Sequence, residues 1–212
     1  MENLSDLYNR VLTAKYIQLE KNAASYCTEA SSDTLYILFE WSHGKVDWKN
    51  NFDFPAKPYG EMKHRWFVHR GFLRVWETIR DEIKEQVINP NIKHIIVAGY
   101  SHGAAIAVLC HEYCVFNRPD IEISGYGFGA PRVVWGWLNK TVKRRFDNFY
   151  VIRNCRDIVT HVPPALFGYR HVGNMIKIGV GEKYGLIDSH RPENYETELK
   201  KYEDKKASSP SA

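Results

Sequence analysis

Ile95-Ile96-Val97-Ala98-Gly99-Tyr100-Ser101-His102-Gly103-Ala104-Ala105 is the stretch that decides the fold. An apolar run of the kind found in a fully buried strand meets Gly-x-Ser-x-Gly, and a helix of small residues follows at once. That strand–turn–helix context is what a nucleophile elbow requires, with the serine on a strained turn and its hydroxyl exposed. Gly99 and Gly103 lack a Cβ, so strand and helix can approach closely on either side of Ser101. The pentapeptide alone fits a plain Gly-bounded turn equally well. Its position between a buried strand and an apolar helix favours a serine nucleophile.

Working outward, the following segment, residues 102–116, is apolar nearly all round and reads as a buried central helix. Residues 35–39, 121–128 and 149–152 read as buried strands, with further short strands at 65–69 and 171–178. Leu4, Leu7, Tyr8, Val11, Leu12, Tyr16 and Leu19 recur at helical spacing and predict an amphipathic helix over residues 3–24. Phe72, Val75, Trp76, Ile79, Ile83 and Val87 predict a second one, ended near Asn89-Pro90. A short helix is expected over 134–145 and a C-terminal helix over 192–201, with Pro192 in its first turn. Residues 41–59 read mostly as loop. Strands alternating with helices imply a mostly parallel sheet with helices on both faces. In such sheets ligands bind beyond the carboxyl ends of the strands.

A chain of 212 residues fits one domain, here read as residues 1–204, with a polar, Ser-rich tail at 205–212 expected to be disordered. Hydrophobic residues make up 44% and aromatics 14%, enough for a sizeable core. A net charge of +4 is too small to argue for nucleic acid. Cys27, Cys110, Cys114 and Cys155 form no disulfide framework in a chain this long, and the histidines lack metal-ligand spacing. No run of apolar residues is long enough to span a membrane, and the N-terminus does not read as a signal peptide. The chain as given reads as cytoplasmic, or as secreted if a leader has been removed.

A serine hydroxyl needs a base, and the base needs an orienting carboxylate. On this kind of sheet the chain order is serine, acid, histidine. Asp157 follows the strand at 149–152 and is the best-placed acid; Asp147 and Asp120 precede their strands, and Asp188 is too near His190 in sequence. His190, in a loop before the last helix, is the preferred base, with His171 as runner-up; His161 fits a bond within its own loop. The oxyanion hole needs N–H donors: one from His102, after the nucleophile, and a second from the loop after an earlier strand, where Ser42 stands.

With these residues in place, the chain from about Leu35 to Tyr195 resembles the class 3 (fungal-type) lipases. The resemblance rests on Phe39-Glu40-Trp41-Ser42, Val68-His69-Arg70-Gly71-Phe72, the elbow, Gly127-Phe128-Gly129-Ala130-Pro131-Arg132-Val133, Asp157-Ile158-Val159-Thr160-His161-Val162-Pro163-Pro164, and His190 with Tyr195. It implies an α/β-hydrolase fold and hydrolysis of acylglycerol-type esters without a cofactor or metal. It assigns Ser101 as nucleophile, Asp157 as acid, His190 as base, and Ser42 with the His102 N–H as oxyanion hole. Glu40-Trp41, His102 and Thr160 depart from the family pattern.

The segment matching the family's lid, His43-Gly44-Lys45-Val46-Asp47-Trp48-Lys49-Asn50-Asn51, is charged and reads as a minimal lid. That leans the expectation towards short or medium acyl chains. The aromatics Trp41, Trp48, Phe52, Phe54, Tyr59 and Trp66 fit either an acyl pocket or ordinary packing. Trp135 and Trp137 are expected on different faces of the helix at 134–145, with one exposed near the site mouth. The expected partners are an ester or lipid substrate and, transiently, a lipid interface. Alternatives with the same triad are a phospholipase or an acyltransferase, and a non-enzymatic alternative is a binding module on the same fold.

Overall fold

The computed structural model describes residues 2–19, 24–41, 53, 55–59, 66–181 and 183–208. In chain order these form α1 (Leu4–Thr13), β1 (Ile17–Leu19), β2 (Ala24–Ser31), β3 (Thr34–Phe39), β4 (Ala56–Tyr59), β5 (Trp66–His69), α2 (Arg70–Ile79) and α3 (Lys84–Val87). They continue with β6 (His94–Tyr100), α4 (His102–Asn117), β7 (Glu122–Phe128), β8 (Val134–Trp135), α5 (Lys140–Arg144), β9 (Phe149–Asn154), β10 (Tyr169–Arg170), β11 (Asn174–Ile178) and α6 (Pro192–Ser208).

The main sheet has the order β1-β2-β3-β6-β7-β9-β11. From β3 onward every pairing is parallel, and β1 and β2 add an antiparallel edge. Alternation along each strand divides the core. Ile37, Ile95, Val97 and Val151 face α2 and α4, whereas Leu38, Ile96, Ala98, Tyr100 and Ile152 face α1 and α6. Burying a residue such as Leu7 or Val11 of α1 contributes on the order of 1.5–3 kcal/mol. A smaller antiparallel sheet, β10-β8-β5-β4, stands beside the main one.

Several expectations change. The first helix stops at Thr13 rather than near residue 24. Ile17 and Leu19, which fit its period, instead pair with Tyr26 and Ala24 in a hairpin. The second helix breaks after Ile79, yet Ile83 and Val87 remain fully buried, so the apolar period outlives the helix. Residues 134–145 are not one helix: Val134 and Trp135 pair with Val68 and Phe67, and the helix begins only at Lys140, capped by Asn139. The C-terminal helix runs on through Ser208, so residues 205–208 of the expected tail are ordered. Glu/Lys pairs such as Glu196–Lys200 support its exposed face.

Cys110 and Cys114 are buried with their sulfurs 3.9 Å apart, and all four cysteines are free thiols. Tyr59 and Trp66 are buried against each other, with Phe146 against Trp66, so these two aromatics belong to the packing of the small sheet and not to an acyl pocket. Trp48, Phe52, Phe54 and the lid segment lie outside the described residues.

Candidate active site

β6 delivers Ser101 to the carboxyl end of the sheet, where the chain turns directly into α4. Ser101 has φ 55° and ψ −118°, the strained geometry of an elbow. The turn closes because Gly103 lies against backbone: a Cβ there would stand 2.3 Å from the Phe39 carbonyl oxygen. The Ser101 N–H donates to Phe128 O at 2.9 Å, tying the elbow to β7.

His190 arrives from the other side, on a single helical turn (Asp188–His190) just before α6. Its Nε2 lies 2.8 Å from Ser101 Oγ and its Nδ1 2.8 Å from Asp157 Oδ2. Asp157 follows β9 and is fully buried. Its Oδ1 accepts the Val159 N–H at 2.8 Å, and its Oδ2 also accepts the Tyr195 hydroxyl at 2.6 Å. Burial, and then the Asp157 charge, push the Tyr195 phenol far above its ordinary range, so it remains a donor. Ser101, Asp157 and His190 therefore meet in one chain of hydrogen bonds. In that arrangement the imidazole can take a proton from Oγ while the carboxylate holds it in place.

The other candidates fall elsewhere. His171 donates from Nε2 to Thr160 O at 2.7 Å and does not reach Asp157; burial lowers its pKa to about 4. His161 bonds the Asp157 carbonyl from Nδ1 at 2.9 Å, within its own loop as expected. Asp188 pairs with Arg191. The His102 N–H opens the first turn of α4, directly after Ser101. Its side chain is buried and meets Phe72 edge-on at 5.5 Å. The ring beside Ser101 thus packs against α2. Ser42 lies outside the described residues. Trp135 and Trp137 are both exposed, at 40% and 82%.

Three further residues, to which the sequence reading assigns no role, support the site. Thr160, a departure from the family pattern, is buried and its hydroxyl donates to Asp157 O at 2.8 Å. Tyr100 stacks on His190 at 5.1 Å between ring centroids. Tyr195, named with His190 in the resemblance, has a further signal: Tyr195, Glu198 and Leu199 share the buried face of a helix that begins two residues after His190.

Among the described residues no helix is long and apolar enough to cross a membrane. Secreted mono- and diacylglycerol lipase 1 of Fusarium solani is 32% identical over 153 residues, covering 70% of this chain and 45% of that protein. The lipase of Rhizomucor miehei is 29% identical over 167 residues, covering 75% of this chain and 43% of that protein. This chain spans less than half the length of these two curated relatives. The expectation of a cytoplasmic protein draws no support from them, since the Fusarium relative is named as secreted. The crystal structure of a lipase from Rhizopus microsporus var. chinensis matches with a TM-score of 0.64 at 26% identity, covering 80% of this chain and 63% of that one. The shared architecture is the α/β-hydrolase fold. The family model for class 3 lipases matches residues 36–167, well over half of the sequence, and the chain belongs to the class 3 lipase family.

Proposed function

We propose that this chain hydrolyses carboxylic esters of the acylglycerol type through an acyl-Ser101 intermediate. The observation that carries the reading is the His190 ring, whose two nitrogens lie 2.8 Å from Ser101 Oγ and 2.8 Å from Asp157 Oδ2. Ser101 Oγ attacks the ester carbonyl carbon as His190 Nε2 takes its proton. The carbonyl oxygen becomes the oxyanion, held by the His102 N–H and by Ser42. The imidazolium, stabilised by Asp157, gives the proton to the leaving alcohol as the C–O bond breaks. Water then attacks the acyl carbon as His190 takes its proton; the acyl C–Oγ bond breaks, His190 returns the proton to Ser101 Oγ, and the carboxylic acid leaves.

The substrate class draws on the Fusarium relative, whose name gives mono- and diacylglycerols as its substrates. A lipid interface is the source of the substrate in this reading. Leu166, Phe167, Leu186 and Ile187, in the loops around Asp157 and His190, are exposed apolar residues suited to such a surface. The charged segment after Ser42 inclines the preference to short or medium chains.

A fluorophosphonate probe should label Ser101 in the wild type and nothing in Ser101→Ala. Rates over a series of p-nitrophenyl esters and monoacylglycerols, below and above the solubility limit, test the substrate. A folded protein that takes no label sinks the nucleophile. A sharp rate jump above the solubility limit, with long chains preferred, sinks the chain-length reading.

A further inference from the structure

Tyr100 is the residue before Ser101, and neither the elbow geometry nor the triad requires a phenol there. It ends β6, in the middle of the parallel sheet, and is only 1% exposed. Its ring lies under the His190 imidazole with a centroid separation of 5.1 Å and an interplanar angle of 22°. Its hydroxyl donates to the backbone carbonyl of His190. One side chain therefore touches His190 twice, at the ring and at the main chain. Tyr100 is held in turn: Tyr8 of α1 meets it edge-on at 5.5 Å, Tyr195 at 5.6 Å, and Trp41 at 5.8 Å. The Tyr8 hydroxyl also donates to Pro192 O at 3.3 Å, two residues beyond His190.

We propose that Tyr100, braced by Tyr8 of the N-terminal helix, is a positioning residue that fixes the plane of the His190 ring so that Nε2 faces Ser101 Oγ. The inference rests on the reading of His190 as base. His190 sits on a one-turn segment and not on a long element, so its backbone alone does not lock the ring. A flat aromatic shelf under the imidazole restricts rotation about the bond joining ring and Cβ. The face of that shelf also attracts the imidazolium that forms during the reaction. The hydroxyl stops the turn from lifting off the sheet. Burial, followed by the nearby Asp157 charge, pushes the Tyr100 phenol far above its usual range, which keeps it a donor.

This arrangement gives the first helix a role in the chemistry. α1 stands on the face of the sheet opposite α4, and its Tyr8 ring contacts Tyr100, Phe128 and Tyr195 together. Through Tyr8 the helix thus braces Tyr100 beneath the His190 turn and bonds Pro192 just beyond it. Ground-state binding of the ester needs none of these contacts, so their loss should appear in kcat and not in KM.

The test uses Tyr100→Leu, Tyr100→Phe and His190→Ala with p-nitrophenyl butyrate, alongside denaturant unfolding of each. Tyr100→Leu should lower kcat about tenfold or more while KM stays within about twofold. Tyr100→Phe keeps the shelf and should recover kcat to within about threefold of wild type. In the wild-type protein the His190 ring protons should show an upfield ring-current shift by NMR, a measurement that stands even if Tyr100→Leu does not fold. Wild-type kcat in folded Tyr100→Leu, equal kcat losses in the Leu and Phe variants, or no ring-current shift would each overturn the inference. Full activity in His190→Ala would instead overturn the assignment of the base, and with it this role for Tyr100.

Discussion

The Tyr195 hydroxyl donates to Asp157 Oδ2 at 2.6 Å, and His190 Nδ1 meets that same oxygen at 2.8 Å. The phenol oxygen also accepts the Asn154 N–H at 3.1 Å, so it joins β9 to the carboxylate that follows it. With the Val159 N–H on Oδ1, both oxygens of a fully buried carboxylate are engaged. Hydrogen bonds to a charged acceptor are stronger than neutral ones, and a buried partner left unpaired bears the full desolvation penalty. Tyr195→Phe should therefore lower stability by about 1–3 kcal/mol. It should also lower kcat by roughly tenfold with KM unchanged, much less than Asp157→Asn, for which about four powers of ten is the precedent from other triads. Denaturant unfolding and steady-state ester hydrolysis measure the two effects. A Tyr195→Phe protein with wild-type stability and rate would show that the third contact carries nothing.

Gly129 faces the same pair of residues from the loop after β7. Its φ is +60°, and a Cβ there would stand 2.9 Å from His190 Cε1 and 3.0 Å from Asp157 Oδ2. Alanine at that φ costs about 1–2 kcal/mol in backbone strain alone. The added methyl then leaves the imidazole nowhere to sit except tilted away from Ser101. Misplacing a reacting group by about 1 Å can cost roughly a hundredfold in rate. Gly129→Ala is expected to fold, with kcat down by about that factor. Gly181→Ala is the control, since φ there is +63° and no atom among the described residues lies within 4 Å of an added Cβ. It should bear similar backbone strain and keep its activity. Matching kinetics in the two variants would count against the crowding argument.

What was legible in the sequence follows from how local each signal is. Residues 95–105 state their structure twice, once as an apolar run ending at glycine and once as a helix of small residues, and β6, the elbow and α4 lie where expected. Asp157 stands out because it follows a strand, and His190 because few histidines remain after it; the structure joins both to Ser101 by hydrogen bonds. The edge strands β1 and β2 were not found. Tyr16 and Leu19 fit the helical period of α1, and Ala24–Ser31 has no clear apolar alternation. Only the pairing of Ile17 with Tyr26, and of Tyr26 with Phe39, decides the structure there. Trp135 was misplaced for the same reason, because its strand exists only through Phe67 and Tyr169 on either side. Tyr100 and Thr160 support the site through contacts that no spacing rule announces.

Buried groups contribute to the pH dependence of stability: His111 and His171 between pH 6.5 and 4, and Glu198 below 4.5. His111, on α4, is fully buried and donates from Nε2 to Arg145 O at 3.0 Å, and its Nδ1 has no partner among the described residues. Burial lowers its pKa from 6.5 to about 4. Between those values the unfolded chain binds a proton that the folded chain refuses, so stability is full above pH 6.5 and falls as pH drops towards 4. Glu198, on α6, is 4% exposed. Burial works to raise its pKa, but Lys183, Lys201 and the Tyr184 hydroxyl all hold its Oε1 and bring it down from 4.5 to about 2. Its contribution is complete above pH 4.5 and disappears as pH falls through 2. Each shift corresponds to about 3 kcal/mol at most. Unfolding free energy should therefore fall in two successive windows on acidification. His111→Gln should reduce the loss between pH 6.5 and 4, leaving the share that His171 contributes, and Glu198→Gln should reduce the loss between 4.5 and 2. Denaturant titrations at half-unit pH steps read both slopes. A His111→Gln protein that loses stability as steeply as wild type between pH 6.5 and 4 would assign that limb to another group, and the same comparison decides Glu198 below 4.5.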